Sequence, residues 1–222
     1  MALIIALLGG ESSGKSSLAT ALSQHLNQQG VPTVAVPEHL RHWCAHMGRA
    51  PHQHEQAALA AQQSQDIANA CQPGVRVVVA DTTALMVATY SALYFDDPSL
   101  YPAALAQARH YAVHLLMGLD LPWVPDGLFR DSPAVREATD TRLRHVLQAA
   151  QIPFHTLYGQ GSTRLQNALR VLRPWLNLPS QDPTTPPTAW FGHCETCSDP
   201  VCEHRLFTDL LKAGGRGLTG TP

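Results

Sequence analysis

Leu3-Ile4-Ile5-Ala6-Leu7-Leu8-Gly9-Gly10-Glu11-Ser12-Ser13-Gly14-Lys15-Ser16 opens the chain with an apolar run that breaks into glycine and serine. Leu3–Leu8 predicts a buried strand, and Leu18, Leu22 and Leu26 recur at helical spacing from Ser16 to about Gln29. Between them, Gly9 to Ser16 matches G-x-x-x-x-G-K-[ST], in the strand, loop and helix context that confirms the motif. Glycines let successive N–H groups face inward as an anion nest, and the helix N-terminus adds partial positive charge. The reading assigns Gly9, Gly10, Glu11, Ser12, Ser13, Gly14, Lys15, Ser16 and Ser17 to a nucleotide, with Lys15 on the β- and γ-phosphates and the Ser16 hydroxyl on Mg²⁺. Of fifteen basic residues thirteen are Arg, and Lys15 is the only Lys before Lys212, so a compact ammonium is specified here.

Working outward, Gly30-Val31-Pro32 closes the helix and Thr33–Val36 predicts a second strand. A His-rich connection leads to an Ala- and Gln-rich helix at about Glu55 to Cys71, broken by Gln72-Pro73-Gly74. Val75–Ala80, apolar apart from Arg76, predicts a central strand covered on both faces. Helical material follows from Ala84 to Arg109 with a break at Asp96-Asp97-Pro98, then a fourth strand at His114–Leu119. A Pro/Gly/Trp-rich loop from Leu121 to Pro133, a helix at Ala134–Ala150, a fifth strand at Phe154–Leu157 and a last helix at Arg164–Trp175 complete the pattern. Such alternation predicts a three-layer α/β domain over 1–176 with a mostly parallel five-stranded sheet. A Pro-rich linker at 177–190 and a small Cys/His-containing C-terminal tail at 191–222 are expected to follow.

Composition narrows the function. With 222 residues and 45% hydrophobic content the chain can build one packed core with an appendage, while its 14% charged residues leave a thinly charged surface. The net charge of −2 provides no basic field for nucleic acid. The opening apolar run is too short to span a bilayer and lacks the flanks of a signal peptide, and five cysteines do not make a disulfide scaffold in a chain this long. A cytoplasmic protein with neither nucleic-acid nor membrane partners is expected; oligomeric state is not encoded legibly.

A guanine-specific switch would need an Asn-Lys-x-Asp segment, and no Lys is placed for one. An ATPase motor would follow the strand-ending Asp81 with Glu, whereas Thr82-Thr83 stand there. What remains is a small-molecule kinase, which needs a carboxylate facing an acceptor hydroxyl and arginines over the transferring phosphate. Glu38, after the second strand, is the candidate base, with Arg41 three residues on to orient it or a phosphate. Arg130 and Arg136 bracket the Pro/Gly loop, the place of a lid that would carry positive charge to the transition state. Plainer readings stand beside these: Glu38 as a helix-start residue, and Arg136 paired with Glu137 or Asp140 on an exposed helix.

The phosphate loop, Val36-Pro37-Glu38-x-x-Arg41, Asp81-Thr82-Thr83 and Leu121-Pro122-Trp123-Val124-Pro125-Asp126-Gly127-Leu128 together resemble the nicotinamide riboside kinase domain of the NadR family, over roughly residues 1 to 175. The resemblance implies a P-loop kinase fold and transfer of the ATP γ-phosphoryl group to the 5′-hydroxyl of nicotinamide riboside. It implies that Asp81 supports Mg²⁺ and that Trp123 and Asp126 face the nucleoside. Its pyridinium ring suits an aromatic face and a nearby carboxylate, at about 1–2 kcal/mol for the stacking; core filling is the plainer role for Trp123. NadR proteins carry a DNA-binding module and an adenylyltransferase domain ahead of the kinase, and this chain opens on the first kinase strand, so neither activity is implied. Phe129 separates Leu128 from Arg130 where the family tends to place Arg directly. Thiamine or another nucleoside as acceptor, and a non-catalytic ATP-binding module with a partner-binding tail, are the alternatives.

His39, His42, His46, His52 and His54 do not repeat a metal-binding spacing and read as surface or substrate-side residues. His193-Cys194-x-x-Cys197-x4-Cys202-x-His204 differs: Cys194, Cys197, Cys202 and His204 offer four ligands suited to tetrahedral Zn²⁺, a staple for a tail too small for its own core. Reduced thiols or an iron–sulfur site are the alternatives there. Cys44 and Cys71 read as ordinary buried residues.

Overall fold

The apolar runs pair as one sheet. The computed structural model describes residues 2–124 and 132–176. Strands β1 (Leu3–Leu8), β2 (Thr33–Val36), β3 (Val77–Asp81), β4 (Val113–Met117) and β5 (His155–Leu157) lie in the order β2-β3-β1-β4-β5, and every pairing is parallel. The helices of the described residues are α1 (Lys15–Gln28), α2 (His39–Met47), α3 (Gln56–Ala70), α4 (Ala84–Tyr94), α5 (Tyr101–Ala108), α6 (Pro133–Ala149) and α7 (Ser162–Leu176), with a 3-10 turn at Gln53–Glu55.

Period-two alternation sends the strand side chains to the two faces of the sheet. Ile5, Leu7, Val77, Val79, Leu115 and Met117 meet Leu18, Leu22 and Leu26 of α1 and Ala168, Leu169 and Leu172 of α7. Leu8 and Leu116 face the other way, onto Leu59, Met86, Leu143 and Leu147. Leu22 is fully buried, and burial of one such side chain contributes about 2–3 kcal/mol. α4 is buried from Ala84 through Ala92 because α3, α5 and α6 enclose it, which is why its sequence shows no polar face.

One connection is more ordered than its sequence reading. The His-rich stretch after β2 is helix α2, not a loop, entered through extended Glu38 and closed at Gly48 with φ 67°. Leu40, Trp43 and Cys44 form its inward stripe at helical spacing, but the histidines between them mask the period. Cys44 is buried as expected, whereas Cys71 is only half-buried.

Register brings the strand ends together: Leu7 pairs with Asp81, Val36 with Ala80, Leu8 with Leu116 and Met117 with Leu157. β1 is the switch point, with β3 and β2 on one side and β4 and β5 on the other. Ligands of open parallel sheets bind at the carboxyl ends there. Asp126, Arg130, the Pro-rich linker and the tail residues Cys194, Cys197, Cys202 and His204 lie outside the described residues.

Candidate functional site

The turn from β1 into α1 is shaped by its glycines. Gly14 stands at the helix N-cap with φ 81°, a left-handed conformation that other residues adopt at a cost. Gly10 is required for a different reason: a Cβ there would lie 2.9 Å from Arg136 Cγ and 3.1 Å from the Arg136 carbonyl oxygen. Lys15 is buried, and its ammonium donates to the carbonyls of Gly9 at 2.8 Å and Gly10 at 2.9 Å. Ser13 Oγ donates to the Gly10 carbonyl at 2.7 Å and braces the turn from within. Ser16 and Ser17 are exposed on the first turn of α1.

Asp81 ends β3 beside this turn, 5% exposed, and Oδ1 has no hydrogen-bond partner among the described residues. Burial raises its carboxyl above the usual range, against the opposing effects of a Ser16 hydrogen bond and the Lys15 charge. Glu38 and Arg41 also act on Asp81 electrostatically, so both lie near enough to the end of β3 for their charges to be felt there. The orphaned oxygen next to the Ser16 hydroxyl is a donor set that fits Mg²⁺. No group of three or more His, Cys, Asp or Glu side chains suited to a metal occurs among the described residues.

Glu38 occupies the N-cap position of α2, yet its side chain makes no cap hydrogen bond. Its carboxylate, 11% exposed, instead meets Arg41 Nε at 3.4 Å. Tyr90 of α4 is buried where Glu38 and Glu11 act on it, and burial with those two carboxylates holds its phenol well above the usual value.

Arg136 departs from the exposed-helix reading. It is 7% exposed, Nη1 donates to the Leu121 carbonyl at 2.8 Å, and Asp140 pairs with Arg144 at 2.7 Å instead. The start of α6 is thereby fastened to the segment after β4, and Arg136 packs against Gly10 of the phosphate loop. That segment touches the loop again, where the Val124 N–H donates to Ser12 Oγ at 2.8 Å. Trp123 is half-buried beside this contact, its indole Nε1 buried without a partner among the described residues.

Some residues of this region carry no motif. Gln63 of α3, Asp120 after β4 and Arg164 in α7 all bond to segments of the site. A signal existed for two of them: Gln63 shares the buried stripe of Leu59, Ala60 and Ile67, and Arg164 shares that of Ala168 and Leu172. A polar residue on an apolar stripe needs a buried partner.

Residues 4–164 match a family model described as an AAA domain. No curated protein matches the sequence. Among solved structures, a NadR protein in complex with NR superposes with a TM-score of 0.68 at 16% identity, covering 80% of this chain and 52% of that one. A NadR protein in complex with NAD and AMP-PNP gives 0.64 at 16%, covering 80% and 50%. Thymidylate kinase from Ehrlichia chaffeensis gives 0.57 at 11%, covering 77% and 98%. The chain thus spans about half the length of the NadR structures it resembles. At these identities the likeness is one of fold, the parallel α/β fold of the P-loop kinases. With the family model covering most of its length, the chain belongs to the AAA-domain family of P-loop proteins.

Proposed function

We propose that this protein is an ATP-dependent kinase that phosphorylates the 5′-hydroxyl of nicotinamide riboside to give nicotinamide mononucleotide. The observation that carries the reading is at the strand ends, where Glu38 lies within electrostatic reach of Asp81, which itself feels the Lys15 charge and a Ser16 hydrogen bond. A phosphate loop alone would serve a regulator; a carboxylate near the loop is what a transfer reaction adds. The choice of acceptor is supported by the sequence resemblance and by the NadR fold likeness.

In this scheme the loop N–H groups and Lys15 hold the triphosphate. Ser16 and Asp81 would hold Mg²⁺, which when bound supplies positive charge to the β- and γ-phosphate oxygens. Glu38 accepts the proton of the acceptor hydroxyl as its oxygen attacks the γ-phosphorus, and the bond to the β–γ bridging oxygen breaks to release ADP. Arg41 fixes the Glu38 carboxylate, at 3.4 Å. Arg136 keeps the start of α6 against Gly10. Arg130 would supply positive charge to the transferring phosphate. Trp123 and Asp126 would face the pyridinium ring.

The test is ADP release with Mg²⁺-ATP across nicotinamide riboside, thiamine and the common ribo- and deoxynucleosides. Strong preference for nicotinamide riboside supports the proposal. Preference for thiamine or a deoxynucleoside replaces the acceptor but keeps the kinase; ATP binding with no transfer to any acceptor favours the regulatory module.

A further inference from the structure

Helix α7 reaches back to the phosphate loop through one side chain. Arg164 in its first turn has a side chain 4% exposed, and its guanidinium forks between two partners. Nη1 donates to the Ser13 carbonyl, and Nη2 to Asp120 Oδ1 at 2.6 Å. The second oxygen of Asp120 accepts the Gly159 N–H at 2.6 Å. One bridge therefore joins the loop after β1, the segment after β4 and the turn after β5.

An anion nest needs its N–H groups turned inward, which turns neighbouring carbonyls away from the anion. A carbonyl so turned and buried needs a donor, and only a side chain can supply one where no strand or helix passes. Ser13 is 1% exposed, and Gly14 follows it in the left-handed conformation. A Cβ on Gly14 would lie 3.1 Å from Arg164 Nη1 and 3.0 Å from Leu121 Cδ1, so the guanidinium is packed against the peptide at which the loop becomes α1. Arg164 Nε, meanwhile, is buried without a partner among the described residues. An unpaired buried N–H costs free energy, so stability alone does not account for this placement.

We propose that Arg164 and Asp120 are positioning residues of the nucleotide site, fixing the Ser13–Gly14 peptide so that the loop N–H groups converge on the terminal phosphates. The inference rests on the reading of this loop as an ATP site. Neither residue touches the reacting atoms in the scheme above; both act through the loop. Lysine cannot substitute for Arg164, because a single ammonium on a flexible stem does not hold two acceptors in a fixed fork.

The experiment titrates a fluorescent ATP analogue, with Mg²⁺, into the parent protein, Arg164→Lys and Asp120→Asn, and records thermal midpoints and the acceptor KM. The Asp120→Asn change keeps an acceptor for the Gly159 N–H while losing the charge that faces Arg164. Nucleotide affinity is expected to fall about 10-fold or more in Arg164→Lys, and less in Asp120→Asn, while acceptor KM stays near that of the parent. Folded variants that bind nucleotide like the parent overturn the proposal, as does an equal loss of acceptor affinity. Should Arg164→Lys fail to fold, Asp120→Asn decides by the same readouts; if both unfold, the pair serves the fold and the proposal is wrong. Failure of the parent protein itself to bind the analogue strikes the ATP reading instead, and the inference falls with it.

Discussion

Gln63 grips the backbone on both sides of Glu38: its Nε2 donates to the Pro37 carbonyl at 3.3 Å, and its Oε1 accepts the His39 N–H at 2.7 Å. The amide is 1% exposed, so no water can take its place. Glu38 is thus held from behind by α3 while its carboxylate faces Arg41. Gln63→Leu keeps approximate volume and removes both bonds. Turnover is expected to drop about 10-fold or more with nucleotide affinity little changed, since a base displaced by a fraction of an ångström loses its aim. Steady-state kinetics with separate ATP titration checks this; a loss of stability with unchanged turnover would assign Gln63 to the fold alone.

Glu38→Gln removes the proposed proton acceptor at constant shape. We expect turnover at least about 100-fold lower, with ATP binding retained. Unchanged turnover would take Glu38 out of the mechanism.

Lys15→Ala removes the ammonium held by the Gly9 and Gly10 carbonyls. Transfer should fall for every acceptor tested, because the loss lies on the phosphate side and not in the acceptor pocket. Full activity with any acceptor is incompatible with the scheme.

Gly10→Ala places a methyl group 2.9 Å from Arg136 Cγ and 3.1 Å from the Arg136 carbonyl oxygen. Backbone cannot yield as a side-chain tip can, so α6 must shift away from the loop. A destabilisation of about 1–3 kcal/mol is expected, read from urea midpoints, together with weaker nucleotide binding. Parent-like values for both would mean that α6 moves freely.

His114 lies in β4, 3% exposed, and burial lowers its imidazole from 6.5 to about 4. The unfolded chain takes up this proton near its ordinary value while the folded chain does not. Stability is therefore fully present above pH 6.5 and declines as pH falls toward 4. The loss from this group reaches about 3 kcal/mol at the lower end. His155, also lowered by burial, adds in the same direction. Urea midpoints at pH 7 and pH 5 should differ, and His114→Leu should flatten the difference; an unaltered pH dependence would refute the assignment. Glu55 acts in a lower window, since hydrogen bonding to Arg49 holds it at about 2 against 4.5, and its contribution is lost as pH falls through that range.

Local pattern alone determined the five strands, the phosphate loop and the carboxylates at the ends of β2 and β3. Each is encoded within a few residues: an apolar run, a glycine turn, or an acidic side chain at or just beyond the end of a strand. The α2 helix escaped because histidines interrupt its apolar stripe, and Arg136 was open to an exposed-helix reading because charge is ordinarily a surface property. Only the tertiary structure decided that Arg136 lies against Gly10, that Arg164 meets Ser13 and that Gln63 brackets Glu38. Those contacts join residues 24 to 151 positions apart, and which segments meet is fixed by strand order and register rather than by any local preference. A buried guanidinium or amide announces in one dimension that it needs a partner; the packing of the sheet names the partner.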